Sequence, residues 1–138
     1  MSGESSSLPI NPSSLGAPRG YSNGMLAPAG GRLLFVAGQV GWDERQQMVD
    51  GGFAAQFAQA LRNVVTVVRE AGGQPSDLGN LTIFVVDTRE YLATLKEVGA
   101  AYREIIGRHY PAMALIGIRA LLEPRARVEI QGIAVIPS

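Results

Sequence analysis

The sequence predicts one α+β domain in which two helices cover one face of a mixed sheet. Segments with strand and helix patterns follow each other in the order β-β-α-β-α-β-β, and helices that connect strands of one sheet pack against its face. A length of 138 residues fits a single domain. Residues 1–18 are rich in Ser, Pro and Gly, so we expect a flexible or draped N-terminal arm before a domain that spans residues 19–138.

The strands are predicted from runs of β-branched and aromatic residues. Residues 32–40, RLLFVAGQV, form the first long strand, and residues 21–27 are expected to pair with it as a hairpin. Residues 80–86, NLTIFVV, form a continuous apolar run, which is typical of a strand buried on both faces. Residues 112–119 and 127–136 are predicted to form the last two strands.

The helices are predicted from apolar residues at helical spacing. One helix is expected over residues 53–71, before the glycine pair that ends it, and a second over residues 89–106. Asp87 and Glu90 are spaced as a capping box at the start of the second helix. The stripe expected to be buried on that helix comprises Leu92, Leu95, Val98, Tyr102 and Ile105.

The composition argues against several functional classes. Twelve basic and twelve acidic residues give zero net charge, so the chain lacks the basic excess that nucleic-acid binding needs. It has no cysteine and one histidine, His109, which argues against a thiol nucleophile, a Ser-His-Asp triad or a His-based metal site. We expect no cofactor. His109 is expected to be an exposed turn residue. With neither a membrane span nor a secretory signal in the sequence, a cytoplasmic location is the default expectation.

The apolar character of the sheet predicts an oligomer. Hydrophobic residues make up 46% of the chain and charged residues 17%. Two helices can cover one sheet face, yet the strands over residues 80–86 and 128–136 are apolar on both sides. An uncovered apolar face is normally buried against another subunit.

A collinear set of motifs gives the sequence a specific resemblance. The motifs are Tyr21, FVAGQV (35–40), AAQFAQALRNVVTVV (54–68), LTIFVVD (81–87), YPAMALIGI (110–118) and VEIQGIAV (128–135). Their order and spacing over residues 19–137 resemble the RidA (YjgF) family, also labelled endoribonuclease L-PSP. The resemblance implies a chorismate-mutase-like fold and a homotrimer with a barrel-like core. It also implies ligand clefts between subunits that hydrolyse enamines or imines to a keto acid and ammonia.

The same resemblance assigns candidate site residues. Tyr21 matches an arm tyrosine that lines the cleft, and Gly38 lies in the loop that approaches the ligand. Leu115 matches a position whose backbone groups contact the ligand. Glu129 matches the glutamate that orients the attacking water. Met113 stands where the family's deaminases have an arginine that binds the substrate carboxylate.

Met113 changes the expected ligand. Methionine provides no hydrogen-bond donor, and losing a buried arginine contact to an anion costs roughly 2–5 kcal/mol of binding. Arg119 lies about 20 Å further along the strand, too far to replace the arginine. Arg127, or an arginine of a neighbouring subunit, could reach the cleft. Ala37 also replaces the family's serine, so the sequence predicts a more apolar pocket and a neutral or weakly polar ligand.

Three of the site residues also have a structural interpretation. Glu129 could be a solvated residue paired with Arg127 or Arg125, Tyr21 an anchor of the arm, and Met113 an interface packing residue.

Three functions remain open. The chain could be an enzyme acting on C=N bonds, or a non-catalytic protein that binds a small metabolite. A ribonuclease is the third hypothesis, and the neutral charge and single histidine count against it.

Overall fold

A computed structural model describes residues 7–138. The first six residues of the predicted arm lie outside this range. Six strands and three helices follow in chain order: β1 (Leu8–Ile10), β2 (Gly24–Leu26), β3 (Arg32–Val40), α1 (Gly52–Glu70), β4 (Leu78–Val85), α2 (Thr88–Ala93), α3 (Leu95–Ile105), β5 (Ala112–Gly117) and β6 (Val128–Ile136). Short 3-10 turns lie at Ser13–Leu15 and Pro75–Asp77.

The main sheet has four strands in the order β3-β6-β4-β5. Strands β4 and β5 run parallel, whereas β6 lies antiparallel to both β3 and β4. The helices α1 and α3 pack side by side, and α1 lies against β3 and β6. The predicted α+β class with helices on one face of a mixed sheet is therefore confirmed.

The helix α1 closes one face of the sheet because its apolar residues recur at helical spacing. Leu61, Val64 and Val68 are fully buried against Leu81 and Ile130 of the sheet. Val64 and Val68 are poor helix formers, so their helical conformation is stabilised by packing on the sheet. This face forms the hydrophobic core of the chain.

The expected hairpin between residues 21–27 and β3 is wrong. Strand β2 pairs with β1 in antiparallel register, Leu8 opposite Leu26. The Ser22 hydroxyl donates to the Tyr110 carbonyl at 2.6 Å, and the Ser22 N–H donates to the Pro111 carbonyl at 3.1 Å. These bonds hold the segment beside the start of β5, which is the edge of the sheet opposite β3.

The second predicted helix is interrupted at Thr94, so that α2 and α3 are separate. The Thr94 backbone has φ −124° and ψ 26°, and its hydroxyl donates to the Glu90 carbonyl at 2.8 Å. A residue that satisfies an earlier carbonyl with its side chain bends or ends a helix. Leu92 and Leu95, which flank this break, are exposed, so their predicted burial is wrong, whereas Val98 on α3 is buried as expected.

Only one of the two hydrogen bonds of the predicted capping box forms. Asp87 is the N-cap of α2, and its carboxylate accepts the Arg89 N–H at 2.9 Å. Glu90 does not complete the box. Its carboxylate instead accepts from the Arg127 guanidinium, with the Arg127 Nη2 at 2.7 Å from the Glu90 Oε1, and thereby ties α2 to the start of β6.

The face of the sheet away from the helices is open. Leu33 and Phe35 of β3 are 62% and 70% exposed, and Ile116 of β5 is also exposed. One face of β4 is buried and the other is only partly covered within one chain, because Ile83 is buried, whereas its neighbour Phe84 on the other face is half-buried. Burial of the second face against other subunits stays a prediction. Within residues 7–138, none of the helices is long and apolar enough to cross a membrane.

Candidate functional site

A cavity of about 730 Å³ lies between the N-terminal arm, helix α3 and the start of β5. Tyr21 of the arm and Met113 of β5 both line it, so the fold brings these two predicted site residues together. The cavity has aromatic walls. The remaining aromatic residues are Phe57, Tyr91, Tyr102 and Tyr110, together with His109.

Stacking and hydrogen bonds hold three of the residues that line this cavity in place. Tyr102 and Tyr110 stack with ring centroids 5.6 Å apart, and the Tyr102 hydroxyl donates to the His109 carbonyl at 2.6 Å. Burial raises the pKa of Tyr102, so its hydroxyl stays protonated and remains a donor. The His109 Nε2 lies 2.6 Å from the Leu78 carbonyl. Because a carbonyl only accepts hydrogen bonds, Nε2 carries a proton. The His109 side chain is half-buried, so the expectation of an exposed turn histidine is wrong.

Two arginines line the same cavity, and the sequence analysis missed both. Arg103 projects from the last turn of α3, and Arg108 lies in the turn before β5. Neither side chain forms a salt bridge within residues 7–138, and no Asp or Glu from that range lines the cavity. Their signal in the sequence was weak, because an exposed arginine on a helix is most often a solvated surface residue.

A second group of predicted residues lies on the open face of the sheet. The pairing of β3 with β6 is interrupted between Val36 and Gln39, which places a β-bulge at Ala37 and Gly38. The Glu129 side chain lies across Gly38, because a Cβ on Gly38 would collide with the Glu129 carboxylate and Cγ. Glycine at position 38 is therefore what leaves room for this carboxylate.

The Glu129 carboxylate makes no hydrogen bond or ion pair with residues 7–138. The alternative in which Glu129 pairs with Arg127 is not what the structure shows, because Arg127 is bound to Glu90. The Arg127 N–H also donates to the Gln56 Oε1 at 2.7 Å, and the Gln56 Nε2 donates to the Arg125 carbonyl at 3.2 Å. The buried Gln56, another residue missed from the sequence, thus holds the segment that leads into β6.

The two groups of site residues lie on opposite faces of the sheet in one protomer. Met113 is in register with Leu81, which is fully buried under the helices, and Leu115 packs against the same core. Glu129 alternates with the buried Val128 and Ile130, so its side chain points to the open face. A single chain therefore brings Tyr21 together with Met113, and Gly38 together with Glu129, but does not join the two pairs.

Arg127 does not line the cavity beside Met113, and its guanidinium forms an ion pair with Glu90. Replacement of the family arginine by Arg127 within the same chain therefore has no support in the geometry. Within residues 7–138, no group of three or more His, Cys, Asp or Glu residues could hold a metal ion.

The sheet order, the helices on one face and the order of the motifs place the chain in the YjgF-like class of α+β domains. The chain belongs to the Endoribonuclease L-PSP family, whose model matches residues 12–136, and this confirms the resemblance seen in the sequence.

Similar proteins carry deaminase and Rid names. A curated protein of Rattus norvegicus named 2-iminobutanoate/2-iminopropanoate deaminase is 31% identical over 125 residues, which cover 90% of this chain and 83% of the rat protein. A Yersinia pestis protein of unknown function from the conserved Rid family has a TM-score of 0.83 and 31% identity, covering 94% of this chain and 98% of that one. E. coli TdcF with bound serine has a TM-score of 0.67 and 26% identity, covering 87% and 91%.

Proposed function

We propose that this protein hydrolyses a small imine or enamine in a cleft between adjacent subunits of a homotrimer. The observation that carries the proposal is the Glu129 carboxylate, which lies over Gly38 without a partner among residues 7–138. An unpaired carboxylate beside exposed backbone suits the positioning and activation of a water molecule. The deaminase named in the rat relative adds support from outside the structure.

The proposed trimer joins the two separated groups of site residues. Leu33, Phe35 and Ile116 form an exposed apolar patch on the same sheet face as Glu129. Covering this patch with neighbouring copies would remove apolar surface from water, which favours association. In the proposed cleft, Gly38 and Glu129 of one copy face the Tyr21 and Met113 cavity of the next.

In the proposed reaction, the water oxygen attacks the imine carbon while Glu129 accepts one of its protons. Glu129 passes this proton to the nitrogen, which gives an aminoalcohol. The hydroxyl proton then moves to the nitrogen by the same route, the C–N bond breaks, and ammonia leaves as the carbonyl forms. One imine and one water thus give one carbonyl compound and one ammonia, and Glu129 ends as a carboxylate. Backbone N–H groups near Gly38 and Leu115 stabilise the developing charge.

Glu129→Gln tests the proposed chemistry. Imines are generated freshly from amino acids by an amino-acid oxidase, and the rate of ammonia release is measured with and without the protein. We expect Glu129→Gln to lower the rate by roughly 100-fold or more, because an amide cannot accept the water proton. Glu70→Gln, at an exposed position at the end of α1, is the matched control and should leave the rate unchanged. If a panel of neutral and anionic imines gives no rate above background, the enzymatic proposal is wrong.

Met113→Arg tests the role of the missing arginine. Methionine cannot form the charge-assisted pair that arginine forms with a carboxylate. We therefore expect the natural chain to be slow with 2-iminopropanoate and the Met113→Arg variant to be at least tenfold faster at low substrate concentration. A variant with unchanged or lower activity, in a protein that remains folded by circular dichroism, would contradict this role for position 113.

A further inference from the structure

The cavity beside Met113 has a charge pattern suited to an anion. Arg103 and Arg108 line it, and no acidic side chain from residues 7–138 lines it. By contrast, Arg62, Arg89 and Arg127 each lie within 3.8 Å of a carboxylate oxygen outside the cavity. The two cavity arginines are therefore free to bind a negative group from a ligand.

Gly99 shows where the Arg103 guanidinium lies. A Cβ built on Gly99 would be 3.4 Å from the Arg103 Nη1, and Gly99 itself lines the cavity. The guanidinium thus folds back over the preceding turn of α3, on the side of the helix that faces the cavity. A glycine in the middle of a helix costs about 0.5–1 kcal/mol relative to alanine, so this position provides space at the expense of helix stability.

The walls of the cavity suit a flat apolar group. Tyr21 is half-exposed, and Tyr91, Tyr102 and Tyr110 line the remaining sides. Aromatic rings bind other rings in stacked or edge-to-face geometry. The volume of about 730 Å³ lies within the range of about 300–1,000 Å³ that is typical of sites for ligands of drug size.

We propose that the ligand of this cavity is an aromatic carboxylate, whose ring lies among the tyrosines and whose carboxylate is bound by Arg103 and Arg108. This inference rests on the proposed function and narrows its substrate to an imine that carries an aryl group and a carboxylate. Met113, at the position of the family arginine, then contacts the apolar part of the ligand. The chain thereby retains an anionic ligand although the family's arginine is absent.

The test is equilibrium binding of a probe that cannot be hydrolysed. Isothermal titration calorimetry compares 3-phenylpropanoate with 3-phenylpropanamide, which has the same shape and no charge, and with propanoate, which lacks the ring. We expect the phenyl carboxylate to bind about tenfold or more tightly than either, because a hydrogen bond to a charged group contributes more than a neutral one. The preference over the amide should weaken at high salt, because the two arginines are exposed.

Variants then locate the anion site. Arg103→Gln and Arg108→Gln should each weaken binding of 3-phenylpropanoate by roughly fivefold to tenfold while leaving the amide unaffected. Arg69→Gln, at an exposed position in the last turn of α1 away from the cavity, is the matched control and should change neither affinity. Thermal unfolding of each variant checks that the fold is intact.

The possible outcomes separate this inference from the proposed reaction. Equal affinity for acid and amide, retention of the preference in the Arg103→Gln, Arg108→Gln double variant, or absence of binding would overturn the inference. Binding lost in the two arginine variants would support it even if no imine is hydrolysed above background, since that result would refute only the hydrolysis. Conversely, ammonia release from imines that carry an aryl group and a carboxylate, at a rate unchanged in the two arginine variants, would support hydrolysis and contradict the anion site.

Discussion

The two faces of the four-stranded sheet differ in how completely a single chain buries them. On the helix face, Leu61, Leu81 and Ile130 are fully buried, and a cavity with tyrosine walls remains at the edge. On the open face, Leu33 and Phe35 are exposed, and the Glu129 carboxylate of the same face has no partner among residues 7–138. The helix face therefore supplies the hydrophobic core of the single chain, whereas the open face forms a site only in the proposed assembly of further copies.

Phe35→Asp should have the largest effect, because it acts on the face that one chain leaves open. Phe35 is 70% exposed in the single chain, so its replacement removes little core packing. A carboxylate in the proposed subunit interface would be buried without a partner, which is strongly unfavourable. We expect the mass measured by light scattering to fall from three chains to one while the far-ultraviolet circular dichroism is retained. Imine hydrolysis should be lost with the assembly.

Leu122→Asp is the control for this experiment. Leu122 is 100% exposed in the loop before β6, so the same change of an apolar residue to a charge should leave the mass unchanged. A Phe35→Asp variant that remains a trimer would show that the open face is not the interface. The assignment of the core to the helix face and of the subunit interface to the open face would then be wrong.

Tyr102→Phe should have a moderate effect that is confined to the helix face. The variant loses the hydrogen bond from the Tyr102 hydroxyl to the His109 carbonyl, which costs about 1 kcal/mol of the free energy of unfolding at neutral pH. Burial raises the pKa of Tyr102 above its ordinary value of about 10. Above pH 10 the unfolded chain therefore loses this proton before the folded chain does, and stability falls as pH rises.

The pH dependence distinguishes this role from a loss of packing. Urea unfolding between pH 8 and 11 should show the natural chain losing stability more steeply above pH 10 than Tyr102→Phe, by up to about 1.4 kcal/mol per pH unit. Below pH 10 the difference between the two proteins should be constant. Parallel curves over the whole range would mean that the hydroxyl is not buried in a protonated form.

Local patterns in the sequence predicted the strands and helices whose own residues follow a single periodic pattern. The strand over residues 32–40 and the helix α1 follow directly from their β-branched and helical patterns, and their observed bounds agree with the prediction to within a residue. The position of residues 21–27 at the edge of β5 could not be predicted in this way, because Ser22 is held by backbone groups of Tyr110 and Pro111 from the other end of the chain.

The candidate site was predictable only where a residue has a local signature. Gly38 and Glu129 lie in motifs that mark a strand loop and a closing strand, and the fold brings them into contact. Arg103 and Arg108 have no such signature, because their importance depends on a cavity formed by the arm and α3. Glu90 satisfied the pattern of a capping box, but a stronger charged partner, Arg127, was available from a distant strand.

Gly99→Ala should have the smallest effect and probes whether the helix face also carries function. Alanine should raise the free energy of unfolding by about 0.5–1 kcal/mol, because glycine is unfavourable within α3. Its Cβ would lie 3.4 Å from the Arg103 Nη1, at the limit of an ordinary contact with the end of a flexible side chain, and would stand on the cavity wall, so the affinity for 3-phenylpropanoate should fall by no more than about twofold. Ala100→Gly, at an exposed neighbour that does not line the cavity, should lower stability and leave the affinity unchanged. A Gly99→Ala variant that is more stable and binds equally well would show that the glycine provides no space for the ligand.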